Sequence, residues 1–343
     1  MKNTKLVLLL GATLLQCSTL LSAQTAYKVS KNFKIASTGG WDYISIGPDN
    51  NRLYVSHGMQ VNILDLTTGD SIGVIDSTKG VHGIAFNKKM NKGFTSNGRS
   101  NNVTVFDLKT NKTLDTLHAG TNPDAIMFEI FTNTVVTCNG RSNDLSFIDV
   151  DKKKIIATVN VAGKPETAVS NDKGMLYVNV EDKNEIAVID LKTFKVVNHF
   201  SLLPGESPTG LEIDKATNRL FATCEKLLVV IDAATGKIVS KVEIGEGCDG
   251  AAFDNATKNI FTSNGLVGTL SVIHEDSPDK YTLVGNFPSK TSARTIAIDE
   301  KSHAVFMPAA DFEPQPPAGA DGKRPRAKMI PGSFQIVVMQ PVK

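Results

Sequence analysis

The stretch Asn97–Asp107, NGRSNNVTVFD, returns almost unchanged at Asn139–Asp149 as NGRSNDLSFID. Two explanations compete: a chemical motif used twice, or a structural unit repeated along the chain. A longer period decides between them. An apolar run, a marker residue, a turn and usually a lysine recur in steps of 42, 42, 41, 42 and 42 residues. The marker residues are Asp65, Asp107, Asp149, Asp190, Asp232 and His274. The pattern therefore indicates a repeat array.

Each repeat contains four short segments, which in the second repeat are HGIAF, KGFTSN, NVTVFDL and KTLDTL. They are rich in β-branched and aromatic residues and are bounded by turn residues, as is typical of strands. Four strands in about 42 residues are typical of a propeller blade. The innermost strands are predicted to begin near Tyr43, Gly83, Ala125, Thr167, Gly210, Gly250 and Thr295. The predicted fold class is all-β, a seven-bladed β-propeller with four antiparallel strands per blade.

The two ends of the chain predict how the ring closes. The last repeat supplies only three strands, RTIAID, AVFMPA and FQIVVM, while the segment NFKIAS at 32–37 has no partner of its own. Pairing between residues 31–37 and 333–340 would close the ring and protect its edges. Residues 24–343 are thus predicted to form one propeller. A Pro-rich insertion at 311–332 in blade 7 is expected on the tunnel-mouth face as a lid, a docking loop or a flexible insertion.

Several motifs resemble those of a known family. LYVSHG, GFTSNG, LYVNVE, LFATCE and IFTSNG, together with Pro123, Pro165 and Pro208, resemble the YVTN-repeat, or YncE-like, seven-bladed β-propeller family. The resemblance covers essentially the whole chain after residue 23. It implies the fold but not the function, because such propellers serve as scaffolds, binding modules and occasionally enzymes. The marker aspartates are interpreted as structural acceptors for the amides of the turn that follows.

The first residues resemble a secretory signal. MKNTK is basic, LVLLLGATLL is apolar, and small residues follow,. We expect residues 1–23 to be a signal peptide cleaved after Ala23, and the protein to be exported to the periplasm or the extracellular space. Lipidation at Cys17 is the less favoured alternative, because the residues before it lack the small side chain that lipidation normally requires. No later apolar run approaches the ~20 residues of a membrane span.

Charge and cysteine content narrow the function further. Loss of Lys2 and Lys5 with the signal leaves 35 basic and 35 acidic residues. Nucleic acid is therefore not an expected partner, since its binders usually carry a basic excess. The protein is expected to be a monomer. Of the three remaining cysteines, Cys224 and Cys248 lie in adjacent predicted blades and are a candidate disulfide.

Candidate site residues lie where the repeats differ. The residue before each innermost strand should join one ring around the tunnel mouth: Asp42, His82, Asp124, Glu166, Thr209, Asp249 and Arg294. The ends of the second strands should form another ring on the same face: His57, Asn97, Asn139, Val180, Cys224, Asn264 and Ala309. Trp41 adds a surface that could stack on a ring or a sugar. The ligand-binding candidates are Asp42, His57, His82, Asp124, Glu166, Asp249, Arg294, Asn97, Asn139 and Trp41.

This collection of side chains leaves several functions open. Oxygen ligands suit Ca²⁺ or Mg²⁺, whereas adding His57 and His82 favours Zn²⁺ or Mn²⁺. Alternatively, Arg294 could grip a carboxylate or phosphate, or the ring could be a polar network that satisfies itself. If a divalent cation is the cofactor, its ligands would be Asp42, His82, Asp124 and Asp249.

The leading hypothesis is an exported, non-catalytic binding or scaffold module. It would hold a small molecule, protein or carbohydrate of the cell envelope at the tunnel mouth. The sequence contains no G-x-S-x-G, P-loop or H-E-x-x-H motif, and no catalytic residue is assigned,. The alternative is a metal-dependent hydrolase or lyase of the lactonase-like propeller kind, in which a ring acid or His82 would move the proton.

Overall fold

The structure is a computed structural model that describes residues 25–316 and 325–342. Within these ranges it contains seven four-stranded antiparallel sheets, which confirms the predicted fold class. Helical structure in the described part is confined to one 3₁₀ turn, Glu181–Lys183. None of the described residues form a helix long and apolar enough to cross a membrane. The signal-peptide prediction, with Cys17 and the cleavage point after Ala23, lies outside the described residues.

Blades 1 to 6 each consist of four consecutive strands. Blade 1 comprises β2 (Trp41–Ile46), β3 (Arg52–His57), β4 (Gln60–Asp65) and β5 (Ser71–Ile75). Blade 2 comprises β6 (Val81–Asn87), β7 (Lys92–Asn97), β8 (Asn102–Asp107) and β9 (Thr113–His118). Blade 3 comprises β10 (Pro123–Glu129), β11 (Thr134–Asn139), β12 (Asp144–Asp149) and β13 (Lys154–Asn160).

The same order continues around the ring. Blade 4 comprises β14 (Pro165–Ser170), β15 (Met175–Val180), β16 (Glu185–Asp190) and β17 (Lys195–Ser201). Blade 5 comprises β18 (Leu211–Asp214), β19 (Arg219–Thr223), β20 (Leu227–Asp232) and β21 (Ile238–Glu243). Blade 6 comprises β22 (Cys248–Asp254), β23 (Asn259–Asn264), β24 (Thr269–Ser277) and β25 (Lys280–Pro288). Blade 7 comprises β26 (Ala297–Asp299), β27 (Ala304–Ala309), β28 (Gln335–Pro341) and the N-terminal β1 (Tyr27–Lys34).

Ring closure occurs as predicted, through the two ends of the chain. Strand β1 pairs antiparallel with β28, with Lys34 opposite Gln335 and Tyr27 opposite Pro341. The closing strand begins at Tyr27, earlier than the predicted start at residue 32, because β28 continues to Pro341 and offers it backbone partners. The innermost strands β2 and β26 also contact each other, so the ring is continuous around the axis.

The hydrophobic core consists of seven layers, one between each pair of neighbouring blades. Between blades 1 and 2, for example, Tyr54 and Ile63 pack with Ile84 and Phe106. The third strand of a blade is covered on both faces, so the four central residues of Asn102–Asp107 are all buried. This burial explains why the opening stretch reads as a short continuous apolar run.

The repeated turns have the structural role expected of them. Asp107 Oδ1 accepts hydrogen bonds from the backbone N–H groups of Lys109 and Thr110 at 2.9 and 2.7 Å. The left-handed residues of the two NGRSN loops are Asn101 (φ 54°) and Asn143 (φ 59°). Asparagine tolerates this conformation better than most residues, so the echo in the sequence is explained by a turn.

Candidate functional site

A β-bulge positions most of the predicted first ring. Five innermost strands shift register at the same place, which leaves two residues opposite one. The first bulged residues are Asp42, His82, Asp124, Glu166 and Asp249. A bulge re-aims the side chains that it contains. Ser56 and Ser96 fix two of the bulges, since their hydroxyls accept the N–H groups of Asp42 at 3.0 Å and Gly83 at 2.8 Å.

Three of these residues form one compact group, contributed by blades 1, 2 and 3. His82 Nδ1 lies 2.6 Å from Asp42 Oδ2 and 3.6 Å from Asp124 Oδ1. One donor atom from each residue lies within 4.8 Å of the other two. Burial lowers the pKa of His82, but the hydrogen bond to Asp42 and the charge of Asp124 outweigh it and leave the pKa raised. The group therefore favours a positive charge between its two carboxylates.

On the same ring, Arg294 pairs with Asp249 and also approaches Asp42. Arg294 Nη1 donates to Asp249 Oδ2 at 2.7 Å, and its Nη2 donates to the Trp41 carbonyl at 2.7 Å. Nη2 also lies 3.6 Å from Asp42 Oδ1. Burial raises the pKa of Asp249 to about 6, against the opposing charge of Arg294. Asp249 is thus held by Arg294 and is not part of the group formed by Asp42, His82 and Asp124.

Glu166 is paired with a residue that the sequence analysis missed. Lys164 Nζ lies 2.5 Å from Glu166 Oε1 and also forms an ion pair with Glu181. Burial and the neighbouring Asp124 carboxylate raise the pKa of Glu166, whereas Lys164 lowers it. A lysine two positions before the only ring glutamate was the available signal. On this side of the ring, Lys164 therefore bridges the carboxylates of Glu166 and Glu181.

His57 does not reach the mouth. Its side chain is buried, and its ring lies 4.2 Å from the ring of Phe334. Nε2 lies 2.9 Å from the Gly39 carbonyl, which can only accept, so Nε2 carries the proton and Nδ1 accepts from the Ser37 hydroxyl at 2.7 Å,. Burial lowers the pKa of His57. It is a neutral residue at the contact between blades 1 and 7.

Asn97 and Asn139 are also buried inside their blades. Asn97 Oδ1 accepts from Thr95 at 2.9 Å, and its Nδ2 donates to Asn102 and Thr104, each at 2.8 Å. Asn139 makes the same set of bonds, and so does Asn264 in blade 6. Because both amide protons and the carbonyl are engaged internally, these side chains tie strands together and do not face the mouth.

An open cavity of about 890 Å³ lies at the tunnel mouth beside the ring. Its charged lining residues are Glu181, Glu225, Asp249, Arg294 and Arg326. Its large apolar lining residues are Trp41, Leu266, Phe312 and Met329. The last two belong to the insertion at 311–332, where they form a β-bridge, so the described part of this loop contributes one wall. The Trp41 ring packs against those of Phe312 at 5.9 Å and Phe334 at 5.1 Å.

Tyr43 extends across the axis below the ring. It belongs to blade 1 but packs against the core between blades 3 and 4, and it lines a cavity of about 120 Å³ with Ala125, Cys138 and Thr167. Burial raises the pKa of its phenol, and the carboxylate of Asp124 adds to this effect. The signal was present in the sequence, since Tyr43 occupies a position that is Gly, Ala or Thr in the other six repeats.

The cysteines of the described residues are buried free thiols. Cys224 packs in the core layer between blades 4 and 5 and Cys248 in the layer between blades 5 and 6, and the two are not joined in the structure. Burial raises the pKa of Cys224 to about 12 and that of Cys248 to about 11. Both therefore remain protonated at neutral pH.

These features define a seven-bladed β-propeller with a polar ring and an adjoining cavity at one mouth of its tunnel. No protein-family model matches the chain, and no curated protein matches it in sequence. Among solved structures it is similar to a chain of the Kuenenia stuttgartiensis hydrazine synthase, with a TM-score of 0.71 and 15% identity over 79% of this chain and 93% of that chain. At this identity the likeness shows the fold alone.

Proposed function

We propose that the protein is an exported binding module that holds a small molecule in the cavity at the tunnel mouth. The cavity itself carries the proposal. Its volume of about 890 Å³ falls in the range of small-molecule sites, roughly 300–1,000 Å³. It combines an apolar wall with carboxylates and guanidinium groups, as expected of a site that orients its ligand.

The lining favours a ligand with both signs of charge and an apolar part. Glu225 can accept from an ammonium group, while Arg294 retains N–H donors beyond those given to Asp249 and Trp41,. Leu266, which is 65% exposed, provides apolar surface at the rim. Amino acids and dipeptides with apolar side chains have this combination, and they are the probes of choice.

Two variants at neighbouring positions test whether a ligand binds in the cavity. Leu266→Trp would fill part of it, whereas Val267→Trp adds the same bulk to an exposed neighbour that does not line it. A probe at 100 times its Kd should stabilise the wild type by about 2.7 kcal/mol, seen as a rise in Tm. We expect this rise to disappear in Leu266→Trp and to persist in Val267→Trp. Equal responses in the two variants, or no response in the wild type to any probe, would contradict the proposed function.

The second candidate function is metal-dependent hydrolysis of a lactone or ester. It is favoured by the close approach of Asp42, His82 and Asp124, because three protein ligands leave positions open for water and substrate,. Turnover of a lactone that requires Mn²⁺ or Zn²⁺ and is lost in Asp124→Asn would support it. Saturable binding of the probes with no turnover would support the binding module instead.

Membership of the YVTN-repeat family and export are part of the same proposal. Support comes from the repeat spacing of 41 or 42 residues and from the apolar segment at the N-terminus. Expression of the full chain in a bacterial host, followed by N-terminal sequencing, tests export. We expect Gln24 to be the first residue of the mature protein. A lipid on Cys17 would instead indicate that the protein is anchored to a membrane.

A further inference from the structure

We propose that Asp42, His82 and Asp124 form a binding site for a divalent first-row cation, Mn²⁺ or Zn²⁺. The site lies on the three innermost strands β2, β6 and β10, and one donor atom of each residue lies within 4.8 Å of the other two. Ion-to-ligand distances of roughly 2.0–2.2 Å place two ligands of one ion at most about 4.4 Å apart, and His82 Nδ1 lies 2.6 Å from Asp42 Oδ2 and 3.6 Å from Asp124 Oδ1. This proposal does not depend on whether the cavity at the tunnel mouth binds a ligand. Ligand binding in the cavity is measured with amino acids and dipeptides, and the cation site is measured with metal ions.

The donor set selects the class of ion. It combines one imidazole nitrogen with two carboxylates, which suits Mn²⁺ and Zn²⁺ better than Ca²⁺, whose sites are built from six to eight oxygen ligands. His57 and Asp249, which were also considered as ligands from the sequence, lie outside this group of three. His57 is buried between blades 1 and 7, and Asp249 is paired with Arg294 at 2.7 Å.

The group is preorganised for a cation by the residues that hold it. The bulges aim Asp42, His82 and Asp124 toward one point, and Ser56 fixes the Asp42 bulge through its N–H at 3.0 Å. Gly98 leaves room for the imidazole, because a Cβ at this position would lie 2.6 Å from His82 Nε2. Sites held in this way lose less entropy when an ion binds.

The two carboxylates lie close to the imidazole. His82 Nδ1 lies 2.6 Å from Asp42 Oδ2 and 3.6 Å from Asp124 Oδ1, so a cation bound here would face both acids. The other charged or titratable groups around the site are Arg294, Asp249, Glu166, Lys164 and Tyr43.

The test is titration of chelator-treated mature protein with MnCl₂. Isothermal titration calorimetry gives the stoichiometry and the affinity. We expect one ion per chain, and a change in the Mn²⁺ paramagnetic resonance spectrum on binding. Asp124→Asn and His82→Gln, measured separately, should each weaken binding at least about 100-fold, at or above the upper end of the loss seen when outer-shell groups are removed.

His199→Gln is the matched control. His199 Nδ1 also touches a carboxylate, Glu185 Oε1 at 2.7 Å, but it lies on the outer strand β17 and is exposed. This variant should bind Mn²⁺ like the wild type. The proposal would be overturned if the wild type failed to bind Mn²⁺, if Asp124→Asn and His82→Gln bound it as tightly as the wild type, or if all three variants lost binding equally.

Circular dichroism and urea unfolding show whether each variant is folded. If His82→Gln is unfolded, Asp124→Asn carries the test, because removing one charge from a crowded acidic group should not unfold it. Leu266→Trp separates the two proposals. It should bind Mn²⁺ normally whether or not the cavity binds amino acids or dipeptides.

Discussion

Replacing Gly98 by alanine should disturb the tunnel mouth, whereas the same change at Gly140 should not. The two glycines occupy the same position in the two copies of the NGRSN loop. A Cβ at Gly98 would lie 2.6 Å from His82 Nε2 and 2.9 Å from Asn122 Oδ1. At Gly140 the nearest atom is Asn122 Nδ2 at 3.6 Å, an ordinary contact. Neither glycine has a left-handed backbone, so any difference between the variants reports the contact alone.

The size of the stability difference between the two variants depends on which side chain the new methyl group displaces. The His82 imidazole would shift away from the new methyl group and weaken its 2.6 Å bond to Asp42. Hydrogen bonds to charged groups contribute about 1.5–3 kcal/mol, and the lower end applies because the His82 side chain is 27% exposed. Both variants gain about 0.4–1 kcal/mol from the stiffer unfolded chain, so this term cancels. Gly98→Ala should be less stable than Gly140→Ala by about 1.5 kcal/mol.

Two measurements check this difference. Thermal unfolding should place the Tm of Gly98→Ala roughly 2 °C below that of Gly140→Ala. Titration of the His82 ring nitrogens by NMR should show a lower pKa in Gly98→Ala, because the bond to Asp42 is what raises it. Equal Tm values together with an unchanged His82 titration would show that Gly98 is not needed to leave space for the His82 imidazole.

Three further predictions concern the buried acid Glu212, the ring closure and the thiols. Burial raises the pKa of Glu212 to about 8, so its contribution to stability is complete below about pH 4.5 and is lost as the pH rises through 8. Between pH 5 and 8 the wild type should therefore lose roughly 3 kcal/mol more than Glu212→Gln in urea unfolding; equal pH dependence would contradict this. Phe33 is buried on the closing strand β1, and Phe33→Ala should lower the free energy of unfolding by about 3 kcal/mol. Asn32→Ala, at the exposed neighbouring position, should lower it little, and equal urea midpoints for the two variants would count against closure by β1. Cys224 and Cys248 should react with a thiol reagent only after unfolding, since both are buried with raised pKa values, and rapid labelling of the native protein would show otherwise.

The fold could be predicted from the sequence because strand spacing and turn chemistry are local. The marker Asp107 and the left-handed Asn101 each specify a turn through bonds within a few residues. Repetition of these turns at a nearly constant spacing leaves few architectures other than a propeller. The unpaired strand at the N-terminus and the missing strand at the C-terminus then predict how the ring closes.

The site was only partly predictable because side-chain direction at a strand end depends on tertiary contacts. Asp42 and Asn97 look equally suited to a polar mouth in the sequence. A bulge aims Asp42 at the axis, whereas hydroxyls on the next strand draw the Asn97 amide into its blade. Lys164 stands two positions before Glu166 in the sequence, but its direction is set in the connection between blades 3 and 4, where it meets both Glu166 and Glu181.

Departures from a repeat carry functional information mainly where the position faces the axis. His274 replaces the marker aspartate in the sixth repeat, yet on strand β24 it only meets Asn259 Oδ1 of the neighbouring strand β23 at 3.0 Å. Tyr43 replaces a small residue at an axial position, and its side chain consequently spans the tunnel beneath Asp124 and Glu166. The Tyr43 side chain therefore closes the tunnel beneath the acidic ring. A cation or ligand at the ring is therefore approached from the side of the cavity, which is where the insertion at 311–332 contributes its wall.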